Sequence, residues 1–186
     1  MIMGMYRKSG FGKSGILKLL VFLMLPFGCT KEDREVQLAQ QIKDIDSFTK
    51  SYVSNGKRLV ISKGSSRVVI QEGIGDTLMV GDSVFFDFAG YIFQSGLGML
   101  SDTNVQTIGE TMGVNIYNRG FNFGKGVVGK SMFISGLDQG LLGVKSEEQA
   151  YIIFPANLGF GNKDVGLVPK MSPLIFEVWI KEIKKN

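Results

Sequence analysis

The side chains available for chemistry in this sequence are limited by two features of its composition. The chain has no histidine and a single cysteine, Cys29. Histidine is the usual general base near neutral pH, and histidine and cysteine supply most zinc ligands. The composition therefore excludes histidine-based catalysis and nearly every zinc site. We predict that the protein uses neither a metal ion nor another cofactor.

One segment matches a nucleotide-binding pattern: residues 124–131 are Gly-Lys-Gly-Val-Val-Gly-Lys-Ser. In a phosphate-binding loop the glycines expose backbone N–H groups, the lysine neutralises phosphate and the serine holds magnesium. That geometry requires a buried strand before the loop and a long helix after it. Here residues 118–123 are Asn-Arg-Gly-Phe-Asn-Phe, and Gly136 and Gly140 interrupt the following segment. We therefore predict that no nucleotide binds.

A short helix is predicted directly after this segment, over residues 135–142. Ser135 is a candidate N-cap, and Asp138 three positions later completes a capping-box pattern. Gly143 can end the helix in a left-handed conformation. Three apolar residues fall on one helix face: Ile134, Leu137 and Leu141. A helix of this length is not stable alone, so a sheet has to support it.

Strands are predicted before and after the helix from their period-two alternation. They lie at residues 58–62, 67–71, 83–92, 149–154 and 173–183. Residues 63–66 form a hairpin turn between the first two strands. In the third strand Val84, Phe86 and Phe88 share one face, and we assign Phe86 to the core. No helices alternate with the strands, so we predict an α+β domain with an antiparallel five- to six-stranded sheet wrapped around one short helix.

Two further segments flank these elements. An amphipathic helix is predicted over residues 34–54 and packs on its own domain, with a dimerisation arm as the alternative. Its apolar positions are Leu38, Ile42, Ile45, Phe48 and Tyr52. Residues 102–133 are predicted to be a long loop that borders a binding groove, with strand-like pieces at 105–108 and 114–117.

Residues 1–28 are predicted to be an export signal, because a basic stretch precedes an apolar run that ends at Cys29. The run is too short to span a membrane. Residues 25–29, Leu-Pro-Phe-Gly-Cys, resemble a lipobox. We expect lipidation of Cys29, and the alternative is an ordinary signal with a stray buried cysteine. The following Thr-Lys-Glu-Asp resembles an address that sends some Gram-negative lipoproteins to the cell surface. We therefore expect an envelope lipoprotein, anchored in the outer membrane and facing the periplasm or the surface.

The charge of the chain depends on this signal. The net charge is +4, and residues 1–28 carry four basic and no acidic residues. Removing these four from the 21 basic residues leaves 17, which equals the 17 acidic residues. A neutral chain gives no reason to expect a nucleic-acid partner. The predicted divisions are a signal at 1–28, a tether and helix at 29–57, and a globular domain at 58–186.

The order of the elements and the residues within them resemble a known family, the FKBP-type peptidyl-prolyl isomerases. Residues 133–140, Phe-Ile-Ser-Gly-Leu-Asp-Gln-Gly, resemble the segment leading into the single helix of that family. Residues 154–161, Phe-Pro-Ala-Asn-Leu-Gly-Phe-Gly, resemble the loop over its pocket. The resemblance covers roughly residues 73–184. The acylated N-terminus and leading helix also resemble the lipoprotein isomerases associated with gliding motility.

The resemblance implies an FKBP-like fold, proline-containing polypeptide substrates and a set of site residues. It implies that Asp102 faces the twisting amide and that the backbone N–H of Ile134 holds a substrate carbonyl. The implied catalytic group is Asp102, Phe88, Ile134, Phe160 and Phe176. The implied substrate-binding group is Phe133, Leu137, Leu167, Val168 and Phe123, with Phe121 as the alternative to Phe123.

Four positions depart from the family pattern. Phe88 and Phe160 stand where tyrosines are usual, Ser101 replaces a phenylalanine, and Leu137 replaces a tryptophan. Turning a prolyl bond breaks no covalent bond, so it suits a chain without histidine or thiol. We therefore expect a peptidyl-prolyl isomerase that assists folding of exported proteins at the cell envelope. The alternative is a non-catalytic or chaperone-like module that keeps the pocket as a peptide groove.

Overall fold

A computed structural model describes residues 31–113 and 124–186 as one antiparallel sheet with helices on both faces. The strands are β1 Arg58–Ser62, β2 Ser65–Gln71, β3 Ser83–Phe93, β4 Leu97–Thr103, β5 Lys125–Val127, β6 Gln149–Phe154 and β7 Leu174–Lys184. The helices are α1 Lys31–Ser54, α2 Gln106–Thr111 and α3 Ser135–Leu141, with a 3₁₀ turn at Ala156–Leu158. None of the helices in these two ranges is both long and apolar enough to cross a bilayer.

The strand order is β1-β2-β6-β7-β3-β4, and β5 pairs with the beginning of β3. Every neighbouring pair is antiparallel. The predicted antiparallel sheet around a short helix is therefore confirmed, and β5 adds a short seventh strand. The segment with the nucleotide-binding pattern forms β5 and the turn after it, which differs from the strand–loop–helix geometry of a phosphate site.

The β1–β2 hairpin closes through a two-residue turn, shorter than the predicted one. Lys63 and Gly64 have φ angles of 44° and 88°, which suits the turn type that matches the twist of a hairpin. Ser65 and Ser66 belong to β2 and pair with Ser62 and Ile61 of β1.

α3 lies directly on β6, and two glycines allow this close approach. A Cβ atom at Gly136 would lie 2.1 Å from Cγ of Phe154, and one at Gly140 would lie 2.1 Å from Cγ2 of Ile152. Leu137 and Leu141 are buried in the same core. Glycine is unfavourable inside a helix. We therefore attribute Gly136 and Gly140 to the close packing of α3 on β6.

The predicted cap of α3 is wrong at its first residue. Ser135 is already helical, and Ile134 occupies the N-cap position without a side-chain cap bond. The Asp138 carboxylate instead accepts hydrogen bonds from the Gly129 backbone N–H, at 3.0 and 3.2 Å. Asp138 therefore fixes the turn that leads into the helix. Gly143 has a φ of 77°, as predicted for the end of the helix.

Arg67 joins the carboxyl end of α3 to the sheet. Its Nη1 donates to the backbone oxygens of Gly140 and Leu142, at 2.8 and 2.7 Å. Its Nε lies 3.2 Å from Oε1 of Glu148, close enough for an ion pair but without hydrogen-bond alignment. Burial lowers the pKa of the Arg67 guanidinium and raises the pKa of the Glu148 carboxyl, while their mutual attraction opposes both shifts. The cation satisfies carbonyl groups that a helix end leaves without partners.

The opposite face of the sheet is covered by α1. Phe48 packs edge-on against Phe93 of β3, with ring centroids 5.3 Å apart, and Ile45 is buried in the same cluster. The predicted apolar face of α1 is wrong at Ile42, which is 50% exposed, because the polar Gln41 occupies the buried position beside it. Gln41 is tolerated there because its amide is hydrogen-bonded.

The segment after β4 differs from its prediction. Residues 105–108, predicted to be strand-like, lead into and begin α2 instead. Ile108 packs against the cluster under α1. The strand-like piece predicted at 114–117 lies outside the described residues.

Candidate active site

An apolar cavity opens between α3, the sheet and the loop from β6 to β7. Its volume is about 480 Å³, within the usual range for a small-ligand site. The lining residues are Phe86, Phe88, Ser101, Asp102, Met132, Phe133, Ile134, Leu137, Phe160, Val165, Gly166, Leu167, Val168 and Phe176.

Four phenylalanines form the aromatic walls. Phe88 and Phe176, on the adjacent strands β3 and β7, have ring centroids 6.0 Å apart at 44°. Phe86 meets Phe133 edge-on at 5.6 Å. These spacings are typical of favourable aromatic pairs. Each of these four rings therefore packs on another ring of the wall.

Two of these rings occupy space left by glycines. A Cβ atom at Gly90 would lie 2.7 Å from Cε1 of Phe176, and one at Gly126 would lie 2.3 Å from Cζ of Phe133. Gly126 belongs to β5, so the segment with the nucleotide-binding pattern contributes to the site by making room for an aromatic ring.

α3 supplies the floor of the cavity. Leu137 is 6% exposed and lies one turn into the helix. Ile134 directly precedes the helix with an extended backbone (φ −60°, ψ 146°). The turn held by Asp138 places Ile134 at the cavity wall, so the same carboxylate supports both the helix entry and the site.

The rim of the cavity is formed by residues 155–173, which we call the pocket loop. Within it, residues 165–168 form a tight turn, because Val165 and Val168 exchange two backbone hydrogen bonds of 2.9 Å. Val168 is buried at the cavity wall, whereas Leu167 at the turn is 47% exposed. Phe160 is half-buried on the other side of the rim.

Among residues 31–113 and 124–186, Asp102 is the only carboxylate that lines the cavity. It lies on β4, opposite Gly90 of β3, and its Oδ1 accepts a hydrogen bond of 3.0 Å from the Thr103 backbone N–H. The neighbouring Ser101 donates its hydroxyl to the Gly90 backbone oxygen at 2.9 Å. This hydrogen bond joins β4 to β3, and we assign Ser101 no catalytic role.

All nine described residues predicted for the site line this one cavity. They are Phe88, Asp102, Phe133, Ile134, Leu137, Phe160, Leu167, Val168 and Phe176. Phe123 and Cys29 lie outside the described residues, so their assignments stay predictions.

Five lining residues were not among the predicted site residues: Phe86, Ser101, Met132, Val165 and Gly166. Phe86 was assigned to the core alone, yet it is both 2% exposed and part of the cavity wall. Met132 directly precedes Phe133, and Val165 lies two residues before Leu167, so each is close to a predicted site residue. Their exposure, 59% and 40%, places them at the mouth.

The arrangement suits recognition of a compact apolar group and not bond cleavage. The walls that the structure describes are aromatic and aliphatic, and the Asp102 carboxylate lies at the edge. Among residues 31–113 and 124–186, no three His, Cys, Asp or Glu side chains cluster as metal ligands would. A bound amide here would lose water from its carbonyl group while meeting few new polar partners.

Residues 75–181 match the family of FKBP-type peptidyl-prolyl cis-trans isomerases. The chain belongs to this family. Among curated relatives of this FKBP-type domain, peptidyl-prolyl cis-trans isomerase FKBP9 of Mus musculus is 30% identical over 105 residues, covering 56% of this chain and 18% of that protein. FK506-binding protein 1A of Neurospora crassa is 41% identical over 76 residues, covering 38% of this chain and 61% of that protein. The chain thus spans a small part of the first relative.

Solved structures show the same fold as this FKBP-type domain. FkpA from Escherichia coli gives a TM-score of 0.54 at 20% identity, covering 82% of this chain and 63% of that one. The peptidyl-prolyl cis-trans isomerase PPIase of Pseudomonas syringae pv. tomato gives 0.55 at 16% identity, covering 81% and 96%. The predicted family resemblance is therefore confirmed, and the finer likeness to lipoprotein forms stays a prediction.

Proposed function

We propose that this domain catalyses cis–trans isomerisation of X-Pro bonds in polypeptides. The observation that carries the proposal is the cavity walled by Phe88, Phe133 and Phe176 with Asp102 at its edge, in a chain of the FKBP-type family. A proline ring is apolar and compact, so it fits walls of this kind.

The mechanism follows from the nature of the barrier. Rotation about a peptide bond is opposed by amide resonance, a barrier of roughly 18–20 kcal/mol. Water stabilises the charge-separated planar amide, so an apolar cavity that removes water from the carbonyl favours the twisted form. Preferential binding of that twisted form then lowers the barrier. In this proposal Phe88 and Phe176 hold the ring, Ile134 N–H holds a substrate carbonyl, and Asp102 faces the twisting amide.

A protease-free isomerisation assay on an X-Pro peptide tests the proposal. We expect catalysis by the unaltered protein and a fall in kcat/KM on the order of tenfold in Asp102→Asn, since its electrostatic contribution is lost. The matched control is Asp87→Asn, because Asp87 is half exposed on the same sheet and pairs with Lys181 at 3.0 Å. An equal loss in both variants would contradict the role given to Asp102.

A non-catalytic peptide groove is the second candidate, favoured by the phenyl ring of Phe160 on the pocket rim, which offers no hydroxyl donor to a substrate. In that case the unaltered protein would bind a proline-containing peptide without accelerating its isomerisation. Peptide titration followed by amide NMR, run beside the kinetic assay, separates the two functions.

We also propose that the domain acts at the cell envelope, tethered by a lipid on Cys29. The support is the sequence pattern of residues 1–29, a basic stretch followed by an apolar run and cysteine. Membrane fractionation of cells that express the full chain tests this proposal. The unaltered protein is expected in the membrane fraction with a lipid mass increment, and Cys29→Ser in the soluble fraction. Equal fractionation of both would overturn it.

A further inference from the structure

Several hydrogen bonds link parts of the pocket loop to one another: besides the Val165–Val168 pair, the Lys170 N–H donates to Oδ1 of Asp164 at 2.9 Å. The Gly161 N–H donates to the Ala156 oxygen at 2.8 Å, and the Met171 N–H donates to the Gly161 oxygen at 2.7 Å. These bonds connect the beginning and the end of the loop through Gly161. The loop residues that line the cavity, Phe160 and 165–168, lie between these attachment points.

One side chain from outside the loop contacts both of its ends. Gln41 of α1 donates from Nε2 to the Met171 backbone oxygen at 2.8 Å, and its Oε1 accepts from the Ala156 N–H at 2.9 Å. Gln41 is 6% exposed. The two backbone partners differ in kind, since one needs a donor and the other an acceptor. They therefore select a side-chain amide in a single orientation.

The end of the loop is also held in an unfavourable backbone conformation. Met171 has a φ of 58°, a region that residues with a side chain seldom adopt. Met171 is 8% exposed, so its carbonyl oxygen depends on a protein partner. Removal of the Gln41 amide would leave that oxygen without this buried partner and release Met171 toward an ordinary conformation.

We propose that Gln41 is a positioning residue that holds the pocket loop in the geometry that binds the substrate. α1 precedes the family match at 75–181, so this support is supplied by a segment outside the matched region. The inference rests on the proposed function for its kinetic consequence. Its structural part, the hold on residues 156–171, can be measured independently.

The test compares Gln41→Met with Gln40→Met in the full chain. Methionine keeps an unbranched side chain of similar length that suits a helix, but it cannot replace the two amide hydrogen bonds. Gln40 is the neighbouring exposed residue, and its amide donates from Nε2 to Oδ1 of Asp44 in the same helix at 2.8 Å. The control thus carries the same change on the same helix without touching the loop.

Kinetics of the X-Pro peptide give the first readout. In Gln41→Met we expect KM to rise about tenfold with kcat within about twofold, because a loosened wall weakens binding in the ground and transition states alike. A loss of global stability would instead lower the apparent kcat at unchanged KM, through a smaller folded fraction. That result, or an unchanged KM, would overturn the proposal.

Amide hydrogen exchange gives the second readout. Exchange at the Gly161 and Met171 amides should become roughly tenfold faster in Gln41→Met and stay unchanged in Gln40→Met. Local opening of the pocket loop exposes these amides to solvent, so their exchange rates measure that opening. If the unaltered protein lacks isomerase activity, the proposed function fails, and loop exchange with peptide titration still decides the role of Gln41. Unchanged exchange in Gln41→Met would contradict that role.

Discussion

Both faces of the sheet carry clusters of aromatic rings, and the cavity walled by phenylalanines lies on the face that α3 covers. On the outer face, α1 of 24 residues lays Phe48 and Tyr52 onto aromatic rings of β3 and β6. On the inner face, α3 has only seven residues and covers part of the sheet. The uncovered part, walled by Phe88 and Phe176, is the proposed active site.

We attribute the difference between the two aromatic faces to the lengths of the helices that cover them, 24 and seven residues. The residue types are alike on the two faces, so composition alone would assign both to the core. A short helix held tightly by glycines leaves a region of the sheet that no side chain of residues 31–113 and 124–186 fills. Close packing is the rule in protein interiors, and the inner face departs from it over about 480 Å³.

The largest effect is expected from truncating one phenylalanine on each face of β3. Phe88 faces the cavity and Phe93 faces α1, and both are 5% exposed. We expect Phe88→Ala and Phe93→Ala each to lower the free energy of unfolding by about 3–5 kcal/mol. Only Phe88→Ala should also lower kcat/KM per folded molecule, on the order of tenfold.

Denaturant unfolding and isomerisation kinetics, both at a temperature where each variant is folded, check this pair. Equal activity in the two variants would show that the inner aromatic wall is core and nothing more.

A smaller effect is expected from adding a methyl group on each face. In Gly136→Ala the new Cβ would lie 2.1 Å from the Phe154 ring, while in Gly96→Ala it would lie 3.9 Å from the Phe48 ring. Overpacking should destabilise Gly136→Ala by about 1–3 kcal/mol, despite the better helix propensity of alanine. Gly96→Ala should be neutral or stabilise by about 0.4–1 kcal/mol. Thermal unfolding of both variants measures the difference, and a more stable Gly136→Ala would refute the close packing of α3.

The smallest effect is expected from Glu177, a partly buried carboxyl group of the outer face. Burial raises the pKa of Glu177, and a hydrogen bond of 2.8 Å from Gln149 opposes that shift. Burial, together with the Glu177 charge and neighbouring tyrosines, also raises the pKa of Tyr151 to about 12. Because the pKa of Glu177 is raised in the folded state, its protonated form stabilises the fold fully below the ordinary carboxyl pKa. This stabilisation is lost as pH rises through the folded-state pKa of Glu177.

Glu177→Gln removes this titration while keeping the acceptor for Gln149. We expect the variant and the unaltered protein to be equally stable at acid pH. The variant should gain in relative stability as pH rises past the carboxyl range, levelling off near neutrality. Unfolding curves measured across that range check the sign, and a difference independent of pH would contradict the burial of charge at this position.

Five of the seven strands and the order of the site segments followed from the sequence because their patterns are local, whereas β4 and β5 were not predicted. β6 was predicted at its observed bounds, since alternation ends at Pro155. The family segments brought nine of the predicted site residues to one cavity. These features could be predicted because each depends on residues that are close together in the sequence.

The remaining features depend on contacts distant in sequence. Phe86 was assigned to the core because alternation shows which face of a strand a residue occupies. It does not show whether a helix covers that part of the face. Gln41 and Arg67 were not singled out, because a polar residue is assigned to the surface unless its partners are known. Their partners lie 130 and 73 residues away. Ser135 was misassigned as the N-cap because the capping-box pattern pairs it with Asp138. In the structure the Asp138 carboxylate accepts from the Gly129 backbone N–H instead.

The pairing of glycines with phenylalanines has a consequence for how this site can change during evolution. Gly90 faces Phe176, Gly126 faces Phe133, and in each pair a single methyl group would occupy the space of the ring. The two members of a pair are therefore not free to vary separately. We expect a side chain at either glycine to require the opposite ring to shift or to be replaced by a smaller side chain. The glycine in each pair therefore restricts which residue can form the pocket wall opposite it.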